Sequence, residues 1–204
     1  MMLTTLLDEV ARLRATRPGR LLVGIAGAPG AGKSTLAQEL AAKLDRAAVV
    51  PMDGFHLANA ELRRLGRADR KGAPDTFDAA GYAALLRRLR EATGETVYAP
   101  TFDHVLNEPV AGSIPVPPAA EVIVTEGNYL LLDTPPWDGV RQLLDLAVYL
   151  SADDGPRVDG LLARQHAKGL DPDAARDWVY RSDEANARLV ETTAVHADLH
   201  LHRA

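Results

Sequence analysis

An unbroken apolar run, Leu21-Leu22-Val23-Gly24-Ile25-Ala26, opens directly onto Gly27-Ala28-Pro29-Gly30-Ala31-Gly32-Lys33-Ser34-Thr35, and Leu36, Leu40 and Leu44 then recur at i, i+4 and i+8. Strand, glycine-rich turn and helix in that order start a βαβ unit. The segment from Gly27 to Thr35 fits G-x-x-x-x-G-K-[ST], a pattern whose chemistry is phosphate binding. Glycine lets successive backbone N–H groups turn toward one anion. The helix N-terminus adds its partial positive charge. Lys33 then reaches the β- and γ-phosphates of a nucleoside triphosphate such as ATP, and Ser34 offers a hydroxyl to Mg²⁺. A loop of this kind belongs at the carboxyl end of a strand in a parallel sheet, which restricts the chain to α/β architectures.

The rest of the chain has the alternation that such a sheet needs. Residues 47–52, 121–125 and 146–150 read as further buried strands, and 197–202 as a closing one. Leu3, Leu6, Leu7, Val10 and Leu13 share one face of an N-terminal helix that Pro18-Gly19 ends. Residues 58–71 are polar and arginine-rich, fitting a short helix and a loop. Asp78 suits the N-cap of a helix whose inner face carries Tyr82, Leu85, Leu86 and Leu89, stopped near Gly94. Two helices follow residue 152, with Pro156 and Pro172 near their first turns. The stretch 97–119 holds five prolines and reads as irregular or edge structure. The expectation is one domain over residues 1–204, a parallel sheet with helices on both faces.

Composition narrows the function. The net charge of −5 does not suit a general nucleic-acid binder, and no apolar run approaches the roughly 18 residues of a membrane span. The absence of cysteine removes a thiol nucleophile and fits a reducing cytoplasm. A GTPase would carry Asn-Lys-x-Asp, and none of the four lysines follows an asparagine. A motor ATPase would end its third strand in two apolar residues and Asp-Glu, where this chain has Val124-Thr125-Glu126-Gly127. Asp53, in Met52-Asp53-Gly54-Phe55-His56, follows the second strand, so it sits near the phosphate loop. A carboxylate there can orient a substrate hydroxyl or take its proton.

The phosphate loop, Met52-Asp53-Gly54-Phe55-His56, Arg70-Lys71-Gly72-Ala73-Pro74 and Thr125-Glu126-Gly127-Asn128-Tyr129, in this order and spacing, resemble the P-loop kinases of the pantothenate kinase, uridine kinase and phosphoribulokinase group. The likeness is strongest to bacterial nucleoside-kinase-like proteins, some named fructose transport system kinases, and to glycerate kinases. It runs from about Leu21 to Val190.

The resemblance implies a P-loop kinase that moves the γ-phosphate of ATP, with Mg²⁺, to a hydroxyl of a small metabolite. It implies Asp53 as base or hydroxyl orienter, His56, Arg70, Lys71, Asp103 and His104 on the substrate side, and Glu126 beside Ser34 at the metal. It also implies a helical lid near 153–170 whose arginine is Arg164, with Gly160 where the group has a second basic residue. Arg157, seven residues before Arg164, shares its helical face and competes for the role. Asn186 fits the pattern without a derivable role. A basic set of Arg70, Lys71 and His104 points to an acceptor with a carboxylate or phosphate. An apolar edge or helix face could support a homodimer. The rival class is a nucleotide-binding regulatory ATPase without an acceptor.

Overall fold

A computed structural model describes residues 2–91 and 94–203. In chain order the elements are α1 (Met2–Thr16), β1 (Leu21–Ala26), α2 (Lys33–Lys43), β2 (Ala47–Pro51), α3 (Asn59–Arg64), α4 (Ala79–Arg90), β3 (Val97–Asp103), β4 (Glu108–Val116), β5 (Val122–Gly127), β6 (Leu146–Ala152), α5 (Asp154–Ala167), α6 (Pro172–Trp178), α7 (Glu184–Glu191) and β7 (Leu199–Arg203). Five strands form a parallel sheet in the order β2-β5-β1-β6-β7. Central β1 lies between β5 and β6, so its carboxyl end is flanked on both sides and the phosphate loop emerges at the middle of the sheet's edge.

The central strands are buried on both faces, which explains their continuous apolar runs. Successive side chains of β1 point to opposite faces. Leu21, Val23 and Ile25 pack with Leu6, Val10, Leu36 and Leu40 of α1 and α2. Leu22 and Ala26 pack with Tyr82, Leu86 and Leu89 of α4 on the other side. Asp78 does cap α4, accepting from the Gly81 N–H. Leu44, expected at the end of α2, has already left the helix in an extended conformation.

The proline-rich stretch is more regular than its composition suggests. β3 and β4 form an antiparallel hairpin outside the main sheet. A two-stranded ribbon has an open edge on each strand, and proline is tolerated where its nitrogen faces that edge. Pro109 and Pro115 lie on β4 on either side of a register shift at which Gly112 takes φ +71°. The ladder shifts register between Ala99 and Thr101, so Pro100 falls at a bulge. The hairpin packs against the 3₁₀ turn Met52–Phe55 and walls one side of the cleft above the sheet. β5 and β6 run two residues further than expected, placing Glu126 at a strand's final turn of the pleat.

Candidate active site

A cleft of about 1040 Å³ opens at the carboxyl ends of the parallel strands. Its floor is the phosphate loop. Gly27 is required by close approach, since a Cβ there would lie 2.3 Å from the Leu150 carbonyl oxygen. Gly32 caps α2 in the left-handed region, with φ +91°. Lys33 is buried, and its ammonium donates to the Ala28 carbonyl at 2.9 Å and to Asn128 Oδ1 at 2.8 Å. Ser34 donates to Glu126 Oε1 at 2.9 Å. Pro29, Gly30 and Thr35 also line the cleft, whereas Ala31 is part of the core beneath it.

Opposite the loop stands a wall collected from distant segments. Asp53 comes from the 3₁₀ turn after β2, and its carboxylate has no hydrogen bond or ion pair among the described residues. The His56 imidazole is held at 2.8 Å from the Asp53 carbonyl and lies tilted against Phe77 and Phe102, with ring centroids 4.0 and 4.7 Å away. Lys71 donates to Asn59 Oδ1 and the Asn107 carbonyl, both at 2.6 Å, and lies 5.0 Å above the Phe102 ring. His104 lines the cleft from the hairpin. The Gly72 carbonyl accepts from the Tyr129 hydroxyl at 2.5 Å and from Asn186 Nδ2 at 3.3 Å. Asn186 thus ties α7 to the loop that carries Lys71.

Two expected substrate-side residues are not brought into the cleft. Arg70 is half-buried and paired with Asp75 at 2.8 Å outside the cleft, since the turn that aims Lys71 inward sends its neighbour outward. Asp103 Oδ1 accepts the N–H groups of Val105 and Leu106, at 2.8 and 2.9 Å. It closes the hairpin turn, a use that short carboxylates often serve.

The two lid candidates separate clearly. The Arg157 side chain is 3% exposed, pairs with Glu184 at 2.7 Å and donates to the Pro29 carbonyl at 3.3 Å. It braces the phosphate loop from behind. Arg164, two turns on, lines the cleft with Gln165 and Lys168. Asp183 faces these three from the end of a π-helical segment, Val179–Asp183, that joins α6 to α7. Its Oδ2 is buried without a hydrogen bond among the described residues. No local sequence signal marks Asp183; it reaches the cleft only because the helical run turns back across α5.

Burial dominates the electrostatics of the cleft. Burial pushes the Lys33 ammonium below its ordinary range, against the pull of Glu126 and Asp53. Burial also lowers Lys168, helped by neighbouring Arg164, and lowers His56. Burial and the nearby Asp53 carboxylate push Glu126 up. Burial carries Asp183 to about 6 despite Arg164 and Lys168. A phosphate chain on the loop would favour the charged form of Lys33, and a cation beside Glu126 would favour the charged form of that carboxyl. Among the described residues no three acidic or histidine side chains form a metal cluster, so a cation here would complete its shell with phosphate oxygens and water, as Mg²⁺ does.

A phosphate loop, a carboxylate facing it and arginine and lysine on an overlying helix define a P-loop phosphotransferase. The comparisons agree. The sequence pattern of the Phosphoribulokinase / Uridine kinase family matches residues 22–204, and the chain belongs to that family. A Schizosaccharomyces pombe protein named "putative uridine kinase" is 35% identical over 88% of this chain and 82% of its own. The crystal structure of a "putative fructose transport system kinase" from Silicibacter sp. is 41% identical, superposes with a TM-score of 0.90, and is covered over 98% of this chain and 99% of its own. A pantothenate kinase of Mycolicibacterium vanbaalenii is 32% identical over 67% of this chain but only 45% of its own length. The protein is an ATP-dependent kinase acting on a hydroxyl group of a small metabolite.

Proposed function

We propose that this kinase phosphorylates a hydroxyl on a small anionic metabolite, with Asp53 as the base. The observation that carries the reading is the unpaired Asp53 carboxylate between the phosphate loop and a wall bearing Lys71, His56 and His104. Charge selects the class: half-buried Lys71 and exposed Lys168 both line the cleft, which favours an acceptor with a carboxylate or phosphate. The relative named pantothenate kinase is consistent with such an acceptor, the one named uridine kinase less so. The partner on this reading is a small-molecule acceptor, without nucleic acid or membrane and compatible with a homodimer, and the enzyme works in the cytoplasm.

Transfer is direct and in line. Asp53 receives the acceptor's proton while the oxygen attacks the γ-phosphorus and ADP leaves. Lys33 and Arg164 neutralise the charge that spreads over the transferred group. The α5 segment, near 153–170, acts as the lid that carries Arg164 and Lys168 inward. Ser34, and Glu126 through water, would hold Mg²⁺, which when bound offsets charge on the β- and γ-oxygens. Asn128 keeps Lys33 aimed along the loop until phosphate replaces it.

The test is a phosphoryl-transfer screen over a metabolite panel with mass detection of the product. An acidic acceptor is expected to lead. On it, Asp53→Asn should lower kcat by about 10²–10³, the lower part of the range for general-base assistance, with ATP affinity kept. Phosphate release from ATP alone, faster than transfer to any acceptor, would overturn the reading in favour of a regulatory ATPase.

A further inference from the structure

Gly32 has a second reason to be glycine. A Cβ at that position would lie 1.9 Å from Arg203 Nη1, 3.1 Å from Cζ and 3.3 Å from Cδ. The distal half of the Arg203 side chain therefore lies along the first turn of α2. The placement is set by the sheet: β7 pairs parallel with β6 to its last residue, Ala152 opposite Arg203, so Arg203 is delivered to the strands' carboxyl edge. It lines the same cleft as Lys33.

Its neighbours are engaged. Ser151 Oγ and His202 Nδ1 are 3.0 Å apart, and His202 Nε2 is 3.3 Å from Asp153. The Arg203 side chain has no hydrogen bond or ion pair among the described residues. A guanidinium with no carboxylate, placed over a helix N-terminus that is itself positive, gains nothing from the protein alone. It gains from an anion, which a planar fork of donors grips at two oxygens. The charges that act on the Lys33 ammonium are Glu126, Asp53, Arg164 and Arg157. Arg203 lies instead over Gly32, the N-cap of α2, where the loop's backbone N–H groups cradle the α- and β-phosphates while Lys33 reaches toward the γ-phosphate.

We propose that Arg203 is a nucleotide ligand that binds the α/β-phosphate portion of ATP over Gly32. Lys33 and Arg164 then serve the phosphate that leaves, and Arg203 the part that stays. An interaction made equally before and during transfer changes binding and not kcat. The inference rests on the nucleotide site and not on the identity of the acceptor.

Calorimetry of ATP and of inorganic tripolyphosphate on the full chain tests it, with Arg203→Ala, Arg203→Lys and Lys33→Ala. Loss of a charge-assisted pair at a partly exposed site should weaken ATP about tenfold in Arg203→Ala. Tripolyphosphate should weaken by a similar factor. Arg203→Lys should recover about half of the loss on a logarithmic scale, since the charge returns without the fork. Unligated melting temperatures should match the wild type. Unchanged ATP affinity in Arg203→Ala overturns the proposal, as does a loss on ATP that tripolyphosphate does not share, which would assign the contact to the nucleoside. If Lys33→Ala also leaves ATP affinity unchanged, the phosphate-loop assignment fails instead.

Discussion

The two walls of the cleft are built in opposite ways. The nucleotide wall is one continuous segment, Gly27 to Thr35, set by the end of β1 and the start of α2. The acceptor wall is assembled from the turn after β2, the loop at Lys71 and Gly72, the hairpin, the turn after β5 and α7. One wall obtains its geometry from local backbone, the other from a net of polar contacts across the fold. The first should fail all at once when a single side chain is lost. The second should fail by degrees. Lys33→Ala removes a buried ammonium from the phosphates. ATP affinity should fall by about 10² or more, roughly two charge-assisted hydrogen bonds. The MgATP-induced rise in melting temperature should vanish with it. A retained shift would remove the contrast between the walls.

Helix α5 repeats the contrast within one element. Arg157→Ala leaves Glu184 beside a buried gap and releases the Pro29 carbonyl, so it should destabilise the fold by about 3 kcal/mol, a value typical of breaking a buried pair. Arg164→Ala should leave the melting temperature unchanged and lower kcat by about 10- to 100-fold. Chemical denaturation and steady-state kinetics on both variants would separate a brace from a kinetic residue, and an exchange of the two phenotypes would reverse the assignment.

Asp183 offers a pH test. Its carboxyl titrates near 6 in the fold, above the ordinary aspartate value of about 3.8. The folded state therefore holds the proton more tightly than the unfolded chain. The stabilisation that follows is complete below about 4 and is lost as pH rises through about 6. Asp183→Asn removes the charge, so it should raise stability above pH 6 by about 1–2 kcal/mol and have little effect at pH 4. Melting curves from pH 4 to 8 give the answer. A variant less stable than wild type at pH 8 would show that attraction to Arg164 and Lys168 outweighs burial.

On the acceptor wall, Tyr129→Phe deletes one hydrogen bond to the Gly72 carbonyl and leaves Asn186 as its remaining side-chain partner. The cost should be about 1 kcal/mol, appearing as a several-fold rise in acceptor KM with kcat and ATP affinity nearly unchanged. An equal rise in KM for ATP would mean that the two walls are coupled through the turn after β5.

How far each wall could be read before folding follows from this difference. The phosphate loop, Asp53 and Glu126 sit at strand ends, where the close of a continuous apolar run marks the position. Arg164 was distinguishable from Arg157 only by its match to related kinases, since spacing puts both on one face. Asn186 was marked only by its fit to related kinases, and Asp183 and Arg203 have no local signal, because each arrives at the cleft through a chain return that only tertiary packing determines. The hairpin was hidden by its prolines, whose cost depends on which edge of a strand they face. Loop side chains were the least legible, since one residue's rotation along the backbone decides between cleft and solvent.

Arg70 and Lys71 put that last point in its sharpest form. They are adjacent in sequence, both basic and both in the motif that resembles the substrate segment of related kinases. Lys71 turns inward to Asn59, Asn107 and the face of Phe102. Arg70 turns outward to Asp75 in an ion pair with both side chains more than two-fifths exposed. Such pairs gain little, because water screens them and ordering two long side chains costs entropy. Lys71→Ala should raise the acceptor KM about tenfold, since a half-buried ammonium is lost from the anion's side of the cleft. Arg70→Ala should change kcat, KM and the melting temperature by less than about twofold or a degree or two. Parallel kinetics on the two single variants and the double variant make the comparison. Additive effects with Arg70 near zero place the acceptor's charge on Lys71 alone. A large effect of Arg70→Ala on KM, without one on stability, would mean that the loop turns over when acceptor binds and brings the outer arginine in.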